Sequence, residues 1–171
     1  MFDVELIDHR KEWDDFLRRI KELTDEEANT VEVGLFGPSD LVEIATMNEF
    51  GDPPRGNRKW PIPERSFMRY IFDKDIKKNT ELLFKGIDDI ILNNRTKGQV
   101  LDQVGDEVAT SIKKFILGDY YKGIKPNHPI TMKIKGHDHP LIQVGKIFSL
   151  ITHKSGKGEP FSRKDTIEVT Y

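Results

Sequence analysis

The residues best equipped for chemistry in this chain are its histidines. His137-Asp138-His139 lies between Gly136 and Pro140, and His128 and His153 stand elsewhere in the C-terminal half. On an extended segment alternate side chains point the same way, so His137 and His139 could face one metal ion together. A catalytic zinc site also needs a third ligand and a general base, and neither stands at a recognised spacing. A polar turn is the simpler reading. The nucleotide motifs fail as well. Gly145-Lys146 lacks the preceding P-loop spacing and is followed by Ile147 rather than Ser or Thr. Gly156-Lys157-Gly158 lacks the strand-to-helix setting of a dinucleotide fingerprint. No Ser/His/Asp set carries a nucleophile elbow. Asp14-Asp15 and Asp88-Asp89 read as solvated helix faces, because a perturbed acid needs burial. Asn94-Arg95-Thr96 is formally a glycosylation sequon, but Met-Phe-Asp-Val-Glu at the start has no signal-peptide character. With no cysteine in the chain, disulfides, thiolate metal sites and cysteine nucleophiles are excluded. The expectation is a protein that is not an enzyme, with no catalytic residue, metal or cofactor.

The elements that would have to position any site follow from periodicity. Trp13, Phe16, Leu17, Ile20 and Leu23 recur at helical spacing, which predicts an amphipathic helix within residues 1–25, from about 9 to 23. Val31-Glu32-Val33-Gly34-Leu35-Phe36 reads as a strand ended by Gly37-Pro38. Ser39-Asp40 with Glu43 predicts a capping box opening a short helix that Gly51 stops after Phe50. Four prolines exclude a regular element from 51–63, an exposed loop. Trp60 in that loop is either tucked onto the core or an interface anchor. Pro63 suits the first helical position of the next helix, which would place Arg65 and Arg69 on one face, free to pair with Glu49 and Glu64 or with carboxylates on an adjacent subunit. Phe67, Met68, Ile71, Phe72 and Ile76 begin its apolar stripe, and the helix, single or jointed, ends near Asn93-Asn94. Leu101, Val104, Val108, Ile112 and Phe115 mark another helix, closed by Gly118. Beyond a loop lie a short helix near 130–135 and a second opening at Pro140-Leu141. Strand candidates stand at 147–153 and 165–170, with a hairpin loop over 154–164 between them. The class expected is α+β, one domain over 1–171, with several helices beside a small, largely antiparallel sheet.

Charge is uneven along this chain of 171 residues. Residues 1–50 carry 14 acidic and 5 basic side chains, whereas 111–164 carry 11 basic against 3 acidic. Three readings follow: the two ends fold together, an acidic face meets the basic face of a neighbouring copy, or the basic half lines a path for DNA. Only Phe115, Tyr120 and Tyr121 interleave with the lysines, which weakens the DNA reading. No stretch reaches the roughly 20 apolar residues of a membrane span, so no membrane partner is expected.

Two segments carry a resemblance. Ile44-Ala45-Thr46-Met47-Asn48-Glu49-Phe50-Gly51 is followed, after the proline-rich loop, by Ile62-Pro63-Glu64-Arg65-Ser66-Phe67-Met68-Arg69. Near the C-terminus come Lys135-Gly136-His137-Asp138-His139-Pro140-Leu141-Ile142-Gln143-Val144-Gly145-Lys146-Ile147 and then Ser149-Leu150-Ile151-Thr152. Together these resemble the virion-morphogenesis and tail-completion family of tailed phages, over the order of elements from about 31 to 152. The chain departs from the family pattern at Ser66, where proline is usual, at Gln143-Val144-Gly145, where Asp-Thr-Gly is usual, and at Ile147, where leucine is usual. The resemblance implies a structural protein, without catalysis, acting in tail completion and head–tail joining at the neck of the virion. Its partners would be tail-tube, tail-terminator and head-connector proteins and further copies of itself, in the host cytoplasm during assembly and then in the virion. The alternatives are a tail-terminator ring capping the tube and a DNA-binding module built on the basic half. The contact residues expected are Glu49, Trp60, Arg65 and Arg69 at the junction and Lys154, Lys157, Arg163 and Lys164 in the C-terminal loop. On this view the junction fixes the fold, and the loops at 51–62 and 154–164 make the contacts between subunits.

Overall fold

In the computed structural model of the protein, residues 10–24, 30–57, 59–93, 95–118, 125–141 and 146–156 are described. The apolar spacing of the N-terminal segment gives helix α1, Arg10–Thr24, and the β-branched run gives strand β1, Thr30–Leu35. Helix α2 spans Ser39–Phe50, α3 Phe67–Leu92, α4 Lys97–Leu117, α5 Pro129–Lys135 and α6 Lys146–Leu150. Strand β2, Ile151–Gly156, completes the order. The protein is α+β: six helices and one two-stranded antiparallel sheet among the described residues. None of these helices is long and apolar enough to cross a membrane.

The sheet joins the two ends of the chain. β1 and β2 pair from Thr30↔Gly156 to Leu35↔Ile151. Because side chains alternate along a strand, this register puts Val31, Val33 and Leu35 on the same face as Ser155, His153 and Ile151. That face packs on α4. There Gly105 lets the His153 ring lie on the helix backbone: a Cβ would stand 2.5 Å from its Cγ. The ring nitrogens lie 3.4 Å from Asp102 and 3.3 Å from Asp106, so β2 from the basic half is clasped to acids of α4. β1 comes from the acidic end, and its pairing with β2 favours the reading in which the two ends fold together.

α4 is the central element, burying Val104, Val108, Ala109, Ile112, Phe115 and Ile116 along one side. Its start is fixed by a capping box: Thr96 Oγ1 accepts from Gln99 N, and the Gln99 side chain accepts from Thr96 N. α3 packs beside it, most closely at Gly86, where a Cβ would sit 2.2 Å from Val100 Cγ1. Ala45, Phe67, Ile71, Leu141, Ile147 and Ile151 close the same core. α1 lies against α3, and Arg19 Nη1 donates to the Ile91 carbonyl at 2.6 Å. α1 itself buries no residue fully.

Four expectations need correction. Ser39-Asp40 with Glu43 forms no capping box: Pro38 is the N-cap of α2, its carbonyl accepting from Leu41 and Val42, while Glu43 pairs with Arg55. No helix opens at Pro140-Leu141; those residues form a turn, with Leu141 at φ 65°. The stretch expected as a strand from 147 is helical through Leu150, and the strand begins at Ile151. The expected hairpin loop at 154–164 is displaced too, since residues 154–156 lie in β2, whose partner is β1. The remainder of that loop and the strand candidate at 165–170 lie outside the described residues.

Candidate functional site

The most specific pattern in the sequence, Asn48-Glu49-Phe50-Gly51 with Ile62 through Arg69, is where the chain turns from α2 into α3. α3 does not begin at Pro63. Its N-cap is Ser66 and its first residue Phe67, and Ser66 makes no side-chain cap. Phe67 N donates to Arg65 O at 2.7 Å, and the next two orphan N–H groups of the first turn are satisfied from another helix. Glu49, 4% exposed at the end of α2, accepts from Met68 N and Arg69 N, both at 3.0 Å, and from Arg69 Nε at 3.1 Å. A carboxylate at a helix N-terminus is favoured by both hydrogen bonding and the helix dipole. Arg69 returns a bond to the Glu49 carbonyl at 2.8 Å, pairs with Glu64 at 2.7 Å, and lies over the Phe50 ring at 4.7 Å.

Gly51 completes the turn. Its φ of 77° is the left-handed region that suits glycine, and a Cβ would meet Glu64 N at 3.1 Å. The proline-rich loop is closed at its base by two bonds between Asp52 and Ile62, at 2.9 and 2.8 Å. The loop is therefore irregular, as its prolines require, but tied off like a short hairpin.

Arg65 lies before the helix, so it shares no helical face with Arg69. Its backbone N–H donates to Asn48 O at 2.7 Å. Its buried guanidinium donates to Asn48 Oδ1 at 2.6 Å, to Lys125 O at 2.9 Å, to Pro126 O at 3.1 Å and to Asn127 Oδ1 at 3.4 Å. The fork geometry of arginine is what allows one side chain to hold α2 and the 125–127 segment together. Burial lowers its pKa, with Asp138 acting in the opposite direction.

Beside Arg65 opens a cleft of about 250 Å³. Trp60 stacks on His128 at its rim, centroids 4.4 Å apart and planes 11° apart, and remains 40% exposed. Trp60 is thus packed on one face and open on the other. Lys135 also lines the cleft, its pKa lowered first by burial and then by Arg65, with Asp138 opposing.

The remaining expected contact residues are scattered. Lys154 lies on the solvent face of the sheet with its ammonium 4.2 Å from the Phe36 ring centroid. Lys157, Arg163 and Lys164 lie outside the described residues. The structure therefore brings Glu49, Arg65 and Arg69 together and sets Lys154 apart from them.

The histidine triplet is a turn. His137 Nδ1 accepts from His139 N at 3.1 Å, His139 Nδ1 lies 3.0 Å from the Pro140 carbonyl, and Asp138 accepts from Asn127 N at 3.2 Å. Among the described residues no group of three acids or histidines is placed to hold a metal ion. Sequence reasoning missed Asn127 and Lys135, which stand in a lysine-rich stretch with no spacing that marks them.

With this geometry in hand, comparison with protein-family models, curated proteins and solved structures gives no match.

Proposed function

We propose that this chain is a non-enzymatic structural protein of a tailed bacteriophage, acting in tail completion and head–tail joining at the neck of the virion. One observation carries the reading. Within the segments that resemble the tail-completion family, Ile44 to Gly51 and Ile62 to Arg69, the side chains of Asn48, Glu49, Arg65 and Arg69 hold α2, α3 and the 125–127 segment together. Glu49 and Arg65 are buried in these contacts, so the most specific residues of the pattern serve geometry. Such a frame suits a subunit that must present fixed surfaces to its neighbours.

A second feature supports assembly. Along α3, Phe72, Ile76, Leu83 and Ile87 fall on one side at helical spacing and are 42%, 61%, 38% and 40% exposed. An apolar stripe of this kind marks a surface that other protein covers. The test is the solution mass of the protein by light scattering, alone and mixed with tail-tube and head-connector proteins from the same source. Expected is a complex with one of these partners or a closed ring of copies. A monomer that ignores both partners overturns the neck role, and a ring that forms unaided and binds only the tube reassigns the chain as a tail terminator.

A further inference from the structure

The cleft between Trp60 and Lys135 has an electrostatic imbalance that the fold alone does not use. A buried charge is ordinarily paired, because leaving it uncompensated in a low dielectric is costly. Arg65 is 6% exposed, yet its partners are backbone carbonyls and two side-chain amides, and among the described residues it makes no ion pair. Lys135 stands in the same cleft and reaches only the His139 carbonyl, at 3.5 Å. Burial first, and the neighbouring Arg65 after it, disfavour the charge of Lys135. Among the described residues the carboxylate acting on both is Asp138, which is already accepting from Asn127 N.

Donors are also left over. Asn127 is 7% exposed and its Nδ2 has no partner, although it is buried. Nη1 of Arg65 makes one bond of the two it can donate, and Lys135 makes one of three. The residues that carry these donors line one cleft, with Ile44, Ile62, Leu141 and Ile147 as its apolar walls. The volume, about 250 Å³, lies below the roughly 300–1,000 Å³ typical of small-molecule and cofactor sites. It is the size of one side chain with part of its backbone. An inorganic anion would use the donors but leave the apolar walls and the Trp60–His128 platform without a role.

We infer that this cleft is a recognition site for an acidic peptide side chain, the carboxylate of a Glu or Asp flanked by apolar residues on an extended segment of a partner chain. The carboxylate takes the donors of Lys135, Asn127 and Arg65, and the flanking apolar group covers Trp60. This holds whichever assembly the protein joins, since it rests on the cleft and not on the family resemblance.

Trp60 supplies the readout. Trp13 and Trp60 are the two tryptophans of the chain, and Trp13 is 59% exposed, so the full-length W13F variant reports on the cleft alone. It is titrated with acetyl-Leu-Glu-Leu-amide, with the matching Leu-Gln-Leu peptide, with acetate and with inorganic phosphate. Expected is a saturable change in Trp60 emission with the Glu peptide, and affinity about tenfold lower for the Gln peptide. Lys135→Met in the same background lowers affinity for the Glu peptide by a similar factor. Should that variant misfold, the Glu/Gln comparison on W13F alone decides. Equal affinity for the two peptides overturns the proposal in favour of a purely apolar groove. Acetate or phosphate binding as tightly as the Glu peptide overturns it in favour of a free-anion site. No emission change, together with an unmoved Asn127 side-chain amide resonance, overturns it outright.

Discussion

Removing Glu49 should release the start of α3 from the end of α2. The perturbation is Glu49→Ala, and its magnitude follows from what the carboxylate holds. Two backbone N–H groups, of Met68 and Arg69, lose their acceptor, and the Arg69 Nε loses a charged partner. A buried group left unsatisfied costs about 1–3 kcal/mol, whereas the Arg69 side chain is 49% exposed, so solvent screens the loss of its charged partner to under about 1 kcal/mol. These terms overlap, because the same oxygen serves Arg69 N and Nε, so the expected loss is about 2–4 kcal/mol in all. For a chain of this length, that corresponds to a fall in Tm of roughly 10 °C. Glu49→Gln keeps one acceptor oxygen and should lose about half as much. Glu64→Ala is the control: Glu64 also pairs with Arg69, but its side chain is 53% exposed, so it should cost under about 1 kcal/mol. Urea unfolding followed by circular dichroism gives all three values. If Glu49→Ala unfolds within about 0.5 kcal/mol of the unaltered protein, or if Glu64→Ala costs as much, then Glu49 is not the cap of α3.

Two further outcomes are expected. Gly86→Ala should destabilise by about 1–2 kcal/mol although alanine is the better helix former by about 1 kcal/mol, because its Cβ would stand 2.2 Å from Val100 Cγ1; adding Val100→Ala should recover part of the loss in a double-mutant cycle, and a Gly86→Ala protein with a raised Tm would refute the close approach. The Lys78–Glu107 pair between α3 and α4 lowers the pKa of Glu107, chiefly through the hydrogen bond from Lys78. A lowered folded-state pKa gives stability that is full above the ordinary value of 4.5 and lost as pH falls through the depressed one. Lys78→Met should therefore cost under about 1 kcal/mol at neutral pH, the pair being half exposed, and nothing once Glu107 is protonated. A cost that persists in acid would assign the loss to packing instead.

The helices whose signals are local were legible in the sequence. Trp13, Phe16, Leu17, Ile20 and Leu23 fixed α1 to within a residue at each end, and Val104, Val108, Ile112 and Phe115 did the same for the core side of α4. What escaped depends on partners far along the chain. Pro63 is chemically suited to begin a helix, but Ile62 is bonded to Asp52 and Arg65 to Asn48, which keeps 62–66 out of the helix. The cap then comes from Glu49 rather than from a neighbour in sequence. At the C-terminal end, Ile147 could extend a strand or turn a helix by pattern alone. The helix runs to Leu150, whose carbonyl accepts from Phe36 N at 2.9 Å and whose side chain fills the space over Gly37. Of the two pairings open to Arg69, the structure shows the one with Glu49 and Glu64. Arg65 was misplaced for the same reason that α3 was begun too early.

The pairing of β1 with β2 sets an order on how the molecule comes into being. During synthesis from the N-terminus, β1 emerges early and has to wait for every helix from α2 to α6 before its partner strand exists. Until then its edge is unpaired and the Gly105 side of α4 is bare, a state exposed to aggregation. The α3–α4 contact joins neighbouring segments and closes a short loop, while the sheet closes a very long one at a greater entropic cost. The sheet is thus less a scaffold on which the helices are laid than a buckle fastened after them.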